Sequence, residues 1–228
     1  MYKLILLRHG QSEWNKKNFF NGWADTNLSS EGKKEARDAG KLLKKRKISF
    51  DLVFTSALKR TEQTSRFCLN AMNLGKIKKI KSWKLNERHY GDLTGKNRDN
   101  VLKEFGKKQF LAWRRSYATR PPIMDVENKY YKAMKKNKSF KGVKVPRTES
   151  LKDVYHRVIP YWQKEIAPQI KKGKKVAIFA HGNSLRALVK YLDKISDTNI
   201  SKLEIPVGKP LVYELDKNLK PIRSYYLK

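Results

Sequence analysis

Two of the four histidines in this 228-residue chain stand in the same local context. Leu4-Ile5-Leu6-Leu7-Arg8-His9-Gly10 and Val176-Ala177-Ile178-Phe179-Ala180-His181-Gly182 each run from an apolar segment into a histidine followed by glycine. If both segments are strands of one parallel sheet, their carboxyl ends share a crevice and both imidazoles project into it. A neutral imidazole nitrogen is a competent nucleophile at neutral pH. Phosphorus suits it as an electrophile when fixed cations surround the transferring oxygens. Arginine serves there better than lysine, because its planar fork meets phosphate bidentately and keeps its proton. Arg8, Arg60, Arg88 and the adjacent pair Arg114-Arg115 stand out against a background of 39 lysines and 14 arginines. Glu87, within Leu85-Asn86-Glu87-Arg88-His89-Tyr90-Gly91, is the candidate general acid and base for a substrate hydroxyl, a role that asks for partial burial. The glycine after each histidine is expected to clear room for an anion.

Other chemistries fit these residues less well. Zinc takes three or four ligands, and the chain offers a single cysteine, Cys68, and no His-x-x-x-His pair, so no metal is expected. Gly182-Asn183-Ser184-Leu185-Arg186 begins like the nucleophile elbow of a serine hydrolase, but Arg186 stands where the closing glycine is required. Gly91-Asp92-Leu93-Thr94-Gly95-Lys96-Asn97 has three residues between its glycines where a P-loop has four, and Asn97 replaces the Ser or Thr.

The elements that must position these groups alternate short apolar runs with helical periodicity, the pattern of a parallel sheet covered by helices. Residues 2–7 read as a buried strand. After Asn27-Leu28-Ser29-Ser30, the residues Ala36, Ala39, Gly40 and Leu43 recur at helical spacing. Residues 51–55 read as a second strand, with Ser56 capping a helix that carries Leu58, Thr61, Ser65, Cys68 and Met72 on one face. Residues 77–84 form a short extended segment, and residues 101–113 a helix. Residues 121–146, polar and lysine-rich, show no clear periodicity and are expected to form an irregular excursion. A long helix follows from Ser150 to Gly173, kinked or divided by Pro160 and Pro168. Residues 174–180 are a buried strand, and Leu185, Leu188, Val189 and Leu192 mark a helix after it. Residues 211–215 are a further strand, with residues 222–227 pairing at the sheet edge. The expected fold is α/β, one domain over residues 1–228 with a mostly parallel central sheet flanked by helices.

Composition bounds the classes that remain. A hydrophobic fraction of 39% with 11% aromatics supports a packed core, despite a formal net charge of +32. No apolar run approaches the roughly 20 residues of a membrane span, and Met1-Tyr2-Lys3 leads straight into the first strand, so a cytoplasmic protein is expected. The lysines are scattered, which fits drift of surface composition better than a binding stripe. Lys129 to Lys144 is the exception, with seven lysines, no acid, and interleaved Tyr130, Tyr131 and Phe140, the make-up of a segment that tracks a nucleic-acid backbone. No RRM, KH or zinc-finger signature accompanies it, so nucleic acid is the disfavoured partner.

With these residues assembled, the chain resembles the 2,3-bisphosphoglycerate-dependent phosphoglycerate mutases of the histidine phosphatase superfamily. Arg8-His9-Gly10 alone marks the superfamily. Leu85 to Gly91, Trp113-Arg114-Arg115 and Ala180 to Tyr191 resemble the mutase branch more specifically. The resemblance implies that His9 is a phosphohistidine nucleophile, that Arg8, Arg60 and His181 hold the transferring phosphoryl group, and that Glu87 moves the proton. Arg88, Tyr90, Arg114, Arg115 and Asn183 would bind the substrate's carboxylate and other phosphate. Asn15, Asn21 and Gly22 would line the same pocket, and His89, Arg98 and Gly182 complete the expected substrate-binding set. The implied reaction interconverts 3-phosphoglycerate and 2-phosphoglycerate with 2,3-bisphosphoglycerate as primer and no metal. Homodimers or homotetramers are implied by relatives.

The chain departs from the family pattern at Arg98, where lysine is usual, and at Asn21 and Val207, where threonine is common. It ends at Lys228, where many relatives continue into a mobile tail that shields the site. The expectation is easier access of water to a phosphohistidine and more phosphatase activity. Bisphosphoglycerate synthase or phosphatase activity at the same site is therefore the nearest alternative. A nucleic-acid-binding protein on an inactive enzyme fold is the alternative from another class.

Overall fold

The computed structural model describes residues Met1–Lys228. Its centre is a six-stranded sheet of β1 (Tyr2–Arg8), β2 (Leu52–Thr55), β3 (Lys79–Lys81), β4 (Val176–Ala180), β5 (Leu211–Leu215) and β6 (Pro221–Tyr226), in the spatial order β3-β2-β4-β1-β5-β6. The first four strands run parallel, and β5 and β6 complete the sheet in antiparallel pairing. The helices are α1 (Glu13–Lys16), α2 (Ser30–Lys45), α3 (Lys59–Ala71), α4 (Arg98–Arg115), α5 (Lys129–Lys136), α6 (Leu151–Tyr161), α7 (Ala167–Lys171) and α8 (Gly182–Leu192).

Strand alternation divides the core into two layers. Leu4 and Leu6 of β1 join Val176 and Ile178 of β4 in a cluster of 28 buried residues under α6, α7 and α8. Ile5 and Leu7 point the other way, with Ala177 and Phe179, into a cluster of 12 under α2 and α3. Helices on both faces of a mostly parallel sheet leave the carboxyl ends of β1, β2 and β4 side by side. Arg8 pairs with Ala180 and Thr55 with Phe179, so the residues that follow each strand, His9, Ser56 and His181, emerge together.

Several local expectations change. Ser56 does not cap α3: Leu58 holds the N-cap position without a side-chain bond, while the Ser56 hydroxyl lies 2.8 Å from His181 Nε2. The helix expected over residues 101–113 spans α4, from Arg98 to Arg115, with a non-helical break at Gly106 (φ 73°). The prolines divide the long helix as expected, and a π-helical turn over Trp162–Ile166 separates α6 from α7. The segment 121–146 is not irregular throughout. It folds α5 and a 3-10 turn over Lys138–Phe140. Tyr130, Tyr131 and Met134 supply a short apolar face hidden among lysines, and Met134 and Phe140 are buried with Trp23 and Leu58. With Phe140 only 3% exposed, that ring packs inward and offers no stacking platform. No helix is long and apolar enough to cross a membrane. Cys68 is wholly buried, and burial pushes its thiol up to about 12.

Candidate active site

At the carboxyl ends of β1, β2 and β4 lies a cavity of about 140 Å³ lined almost entirely by polar groups. Six arginines, Arg8, Arg60, Arg98, Arg114, Arg115 and Arg186, face two carboxylates, Glu87 and Glu204. His9, Asn15, Asn21, Tyr90, Gly182, Asn183 and Ile205 complete the lining.

The orientation of His9 follows from its backbone. Its amide donates to the Ala180 carbonyl, fixing the residue beside β4. Its Nδ1 lies 2.6 Å from the Gly10 carbonyl, and because a carbonyl can only accept, Nδ1 carries the proton. That leaves the lone pair on Nε2, with Arg60 Nε at 3.4 Å. Burial, then the charges of Arg60 and Arg8, hold the His9 imidazole well below its ordinary range, against the Gly10 bond that raises it. His181 packs against His9 edge to face, with ring centroids 4.9 Å apart. Burial and the neighbouring Arg60 and His9 lower its imidazole as well.

Arg60 is fully buried, and burial pulls its guanidinium down to about 10, still protonated at neutral pH. Its other two nitrogens donate to the Ala24 carbonyl at 2.9 Å and the Gly22 carbonyl at 2.8 Å, so the fork is aimed by backbone rather than by a carboxylate. Glu87 is 7% exposed, and its Oε1 accepts from the amides of Arg88 (2.7 Å) and Asn183 (3.2 Å). The loop carrying Glu87 is gripped from behind. Trp23 Nε1 and Arg157 Nη2 donate to the Glu87 carbonyl at 2.6 and 2.9 Å, and Arg157 Nη1 donates to the Lys84 carbonyl at 2.8 Å. Glu149, paired with Arg157 through two bonds, accepts from the His89 amide at 2.8 Å.

Most of the residues expected from sequence therefore meet at one cavity, with four exceptions. His89 turns away: its ring lies against Met134 Sδ at 3.3 Å, accepts from the Gly91 amide at 3.0 Å, and does not line the cavity. Gly22 contributes a carbonyl to Arg60 and is otherwise behind the wall. Arg88 is also a wall residue, donating to the Trp113 and Arg114 carbonyls with its guanidinium over the Tyr90 ring at 4.6 Å. His181 sits behind His9 rather than on the surface of the cavity. The role expected of Gly10 changes too. A Cβ there would meet the Gly32 carbonyl oxygen at 2.3 Å, and its amide donates to Thr64 Oγ1, so the missing side chain admits the start of α2 and not an anion.

Sequence reading overlooked Arg186, Glu204 and Ile205. Arg186 lies one helical turn beyond Gly182 on α8, a spacing that placed it on the same face. Glu204 and Ile205 sit in a loop with no periodic signal. No group of three or more His, Cys, Asp or Glu side chains is placed to hold a metal ion.

The chain shares this architecture with solved structures. It resembles a mycobacterial glucosyl-3-phosphoglycerate phosphatase determined with VO3, at 23% identity and TM-score 0.75 over 99% of this chain and 97% of that one. The alpha-ribazole phosphatase from Shigella flexneri is 20% identical, with TM-score 0.70 over 97% and 94% of the two chains. YhfR from Bacillus stearothermophilus is 21% identical, with TM-score 0.71 over 94% and 91%. These likenesses carry the fold. The family model described as histidine phosphatase superfamily (branch 1) matches residues 4–128 and 122–227. Arg8-His9-Gly10, the paired His181 and the arginine-lined cavity thus belong to a chain that is a member of the histidine phosphatase superfamily, branch 1.

Proposed function

We propose that this protein interconverts 3-phosphoglycerate and 2-phosphoglycerate through a phosphorylated His9. One observation carries this reading. Buried guanidinium nitrogens with no protein partner converge around the cavity: Nε of Arg8, of Arg98 and of Arg186. Buried donors left unpaired are destabilising, and charged ones more so, which favours a ligand that accepts from several directions. A small ligand with two anionic groups fits that demand better than a lone phosphate.

His9 Nε2 attacks phosphorus, forming an N–P bond as the P–O bond of the donor breaks. Arg8 and Arg60 face the equatorial oxygens and offset the charge that develops there. Glu87 donates a proton to the departing oxygen and, in the return step, takes the proton of the attacking hydroxyl. Arg98, Arg114 and Arg115 hold the second anionic group, with Tyr90 and Asn183 lining the space between. When bound, 2,3-bisphosphoglycerate supplies the phosphoryl group that primes His9.

A phosphatase using the same site is the second reading, favoured by the activities named for two of the solved structures it resembles. Water then takes the place of the attacking hydroxyl. An enolase-coupled assay with and without 2,3-bisphosphoglycerate, run beside phosphate release, separates the two. The expected outcome is primer-dependent isomerisation exceeding hydrolysis, with His9→Ala lowering both by at least about a thousandfold. Equal rates for wild type and His9→Ala would overturn the nucleophile. Hydrolysis without isomerisation would establish the phosphatase reading.

A further inference from the structure

Of the six arginines lining the cavity, Arg115 alone is ion-paired with a carboxylate side chain. Its partner is Glu204, whose side chain is 68% exposed at the rim while that of Arg115 is 28% exposed. An exposed pair of this kind contributes little to folding, so a fold-stabilising role does not account for it. The loop that presents Glu204 is instead fastened by the cavity itself. Arg186 Nη2 donates to the Ile200 carbonyl at 2.7 Å and to the Arg115 carbonyl at 3.1 Å. Arg8 Nη1 donates to the Ile205 carbonyl at 2.8 Å, and the Gly208 amide returns a bond to the Arg8 carbonyl at 3.3 Å. Ile200 and Ile205 are buried on either side. Two arginines of the phosphoryl site thus fix the backbone before and after Glu204 and leave its carboxylate at the mouth. The Arg115 hydrogen bond and charge, with further help from Arg114 and Arg8, hold that carboxyl below its ordinary range against the opposing effect of burial.

We propose that Glu204 is a specificity-determining residue: by holding Arg115 at the rim, it selects ligands whose distal end is a single negative charge or a hydrogen-bond donor over ligands that place a second phosphate there. The proposal rests on the reading of this cavity as a phosphoryl-transfer site, and the preference is one of degree, weakening but not abolishing the hold on the 2,3-bisphosphoglycerate that primes His9. A distal carboxylate can share Arg115 with Glu204, and a distal hydroxyl can donate to Glu204. A phosphate dianion meets about twice the repulsion of a monoanion at the same distance.

Competition against hydrolysis of p-nitrophenyl phosphate by the full chain tests this, with 3-phosphoglycerate and 2,3-bisphosphoglycerate as inhibitors. Glu204→Gln is expected to tighten the bisphosphate by about tenfold and the monophosphate by about threefold. Glu204→Asp, which keeps the charge, stays within about twofold of the wild-type preference. Glu165→Gln, an exposed charge on the π-helical turn, controls for the loss of one carboxylate anywhere in the molecule. An unchanged preference in Glu204→Gln, or an equal shift in Glu165→Gln, would overturn the proposal. The same preference read by calorimetric titration of His9→Ala variants requires no turnover. A wild-type chain that neither hydrolyses p-nitrophenyl phosphate nor isomerises 3-phosphoglycerate therefore defeats the phosphoryl-transfer reading while Glu204 is still tested.

Discussion

At His9 the position of one proton decides the chemistry. The Gly10 carbonyl holds hydrogen on Nδ1, and burial with Arg60 and Arg8 keeps a second proton off Nε2. His181 is lowered in the same way, and burial brings His89 down to about 4. The sign of the linked stability follows. Below about 6.5 the unfolded chain binds protons at these three side chains while the folded chain does not, so stability present above that pH is lost as pH falls. Urea unfolding from about pH 7.5 to pH 5 is expected to show a decline that starts near 6.5, each histidine contributing at most about 1.4 kcal/mol per pH unit. His89→Phe should flatten the slope; an identical slope would mean that His89 does not contribute. Much of this site was legible residue by residue, because histidine between an apolar run and glycine, and arginine in a lysine-rich chain, are local signals. His89 misled by lying beside Glu87 and Arg88, since neighbours in sequence do not share a direction. Glu204 was invisible for the opposite reason: its partner Arg115 is 89 residues away.

The α6 helix acts on the site from a distance through Arg157. Its guanidinium and the Glu149 carboxylate are 7% and 6% exposed, and together they bond the backbone at Lys84, Glu87 and His89. Breaking a buried pair leaves one charge unpaired, so Arg157→Met is expected to destabilise the fold by about 3–5 kcal/mol. Arg157→Lys keeps the charge and loses the fork. If the pair positions Glu87, the folded Lys variant shows a lower kcat with KM nearly unchanged, and a changed pH profile of kcat. An unaltered kcat in fully folded protein would leave the pair a purely structural role. Strands and most helices were readable from periodicity, down to the buried face of α3. The α5 helix was not, because three apolar residues among lysines fall short of the pattern by which a helix is recognised, and Trp23 and Leu58, far away in sequence, complete its core. Ser56 shows the same limit. A serine after a strand reads as a cap, and only the register of β2 beside β4 brings it to His181.

For the whole molecule, the net charge of +32 was plain in the composition, but the arrangement that matters was not. The lysines scatter over the surface, while six guanidiniums crowd one small cavity with two carboxylates between them. Like charges brought together on folding oppose it, and an anion that binds only the folded chain reverses that effect. Inorganic phosphate is expected to raise the melting temperature, by an amount equivalent to about 2.7 kcal/mol at a hundred times its dissociation constant. Chloride at equal ionic strength should not match it, and equal responses would reduce the effect to general screening. The unpartnered nitrogens of Arg8, Arg98 and Arg186 have a consequence beyond binding. Proteolysis in cells follows the fraction of chains transiently open. A protein whose closed state is held together by the anions it processes would therefore last longest when they are plentiful and be cleared when they run short, tying its abundance to supply without any dedicated regulator.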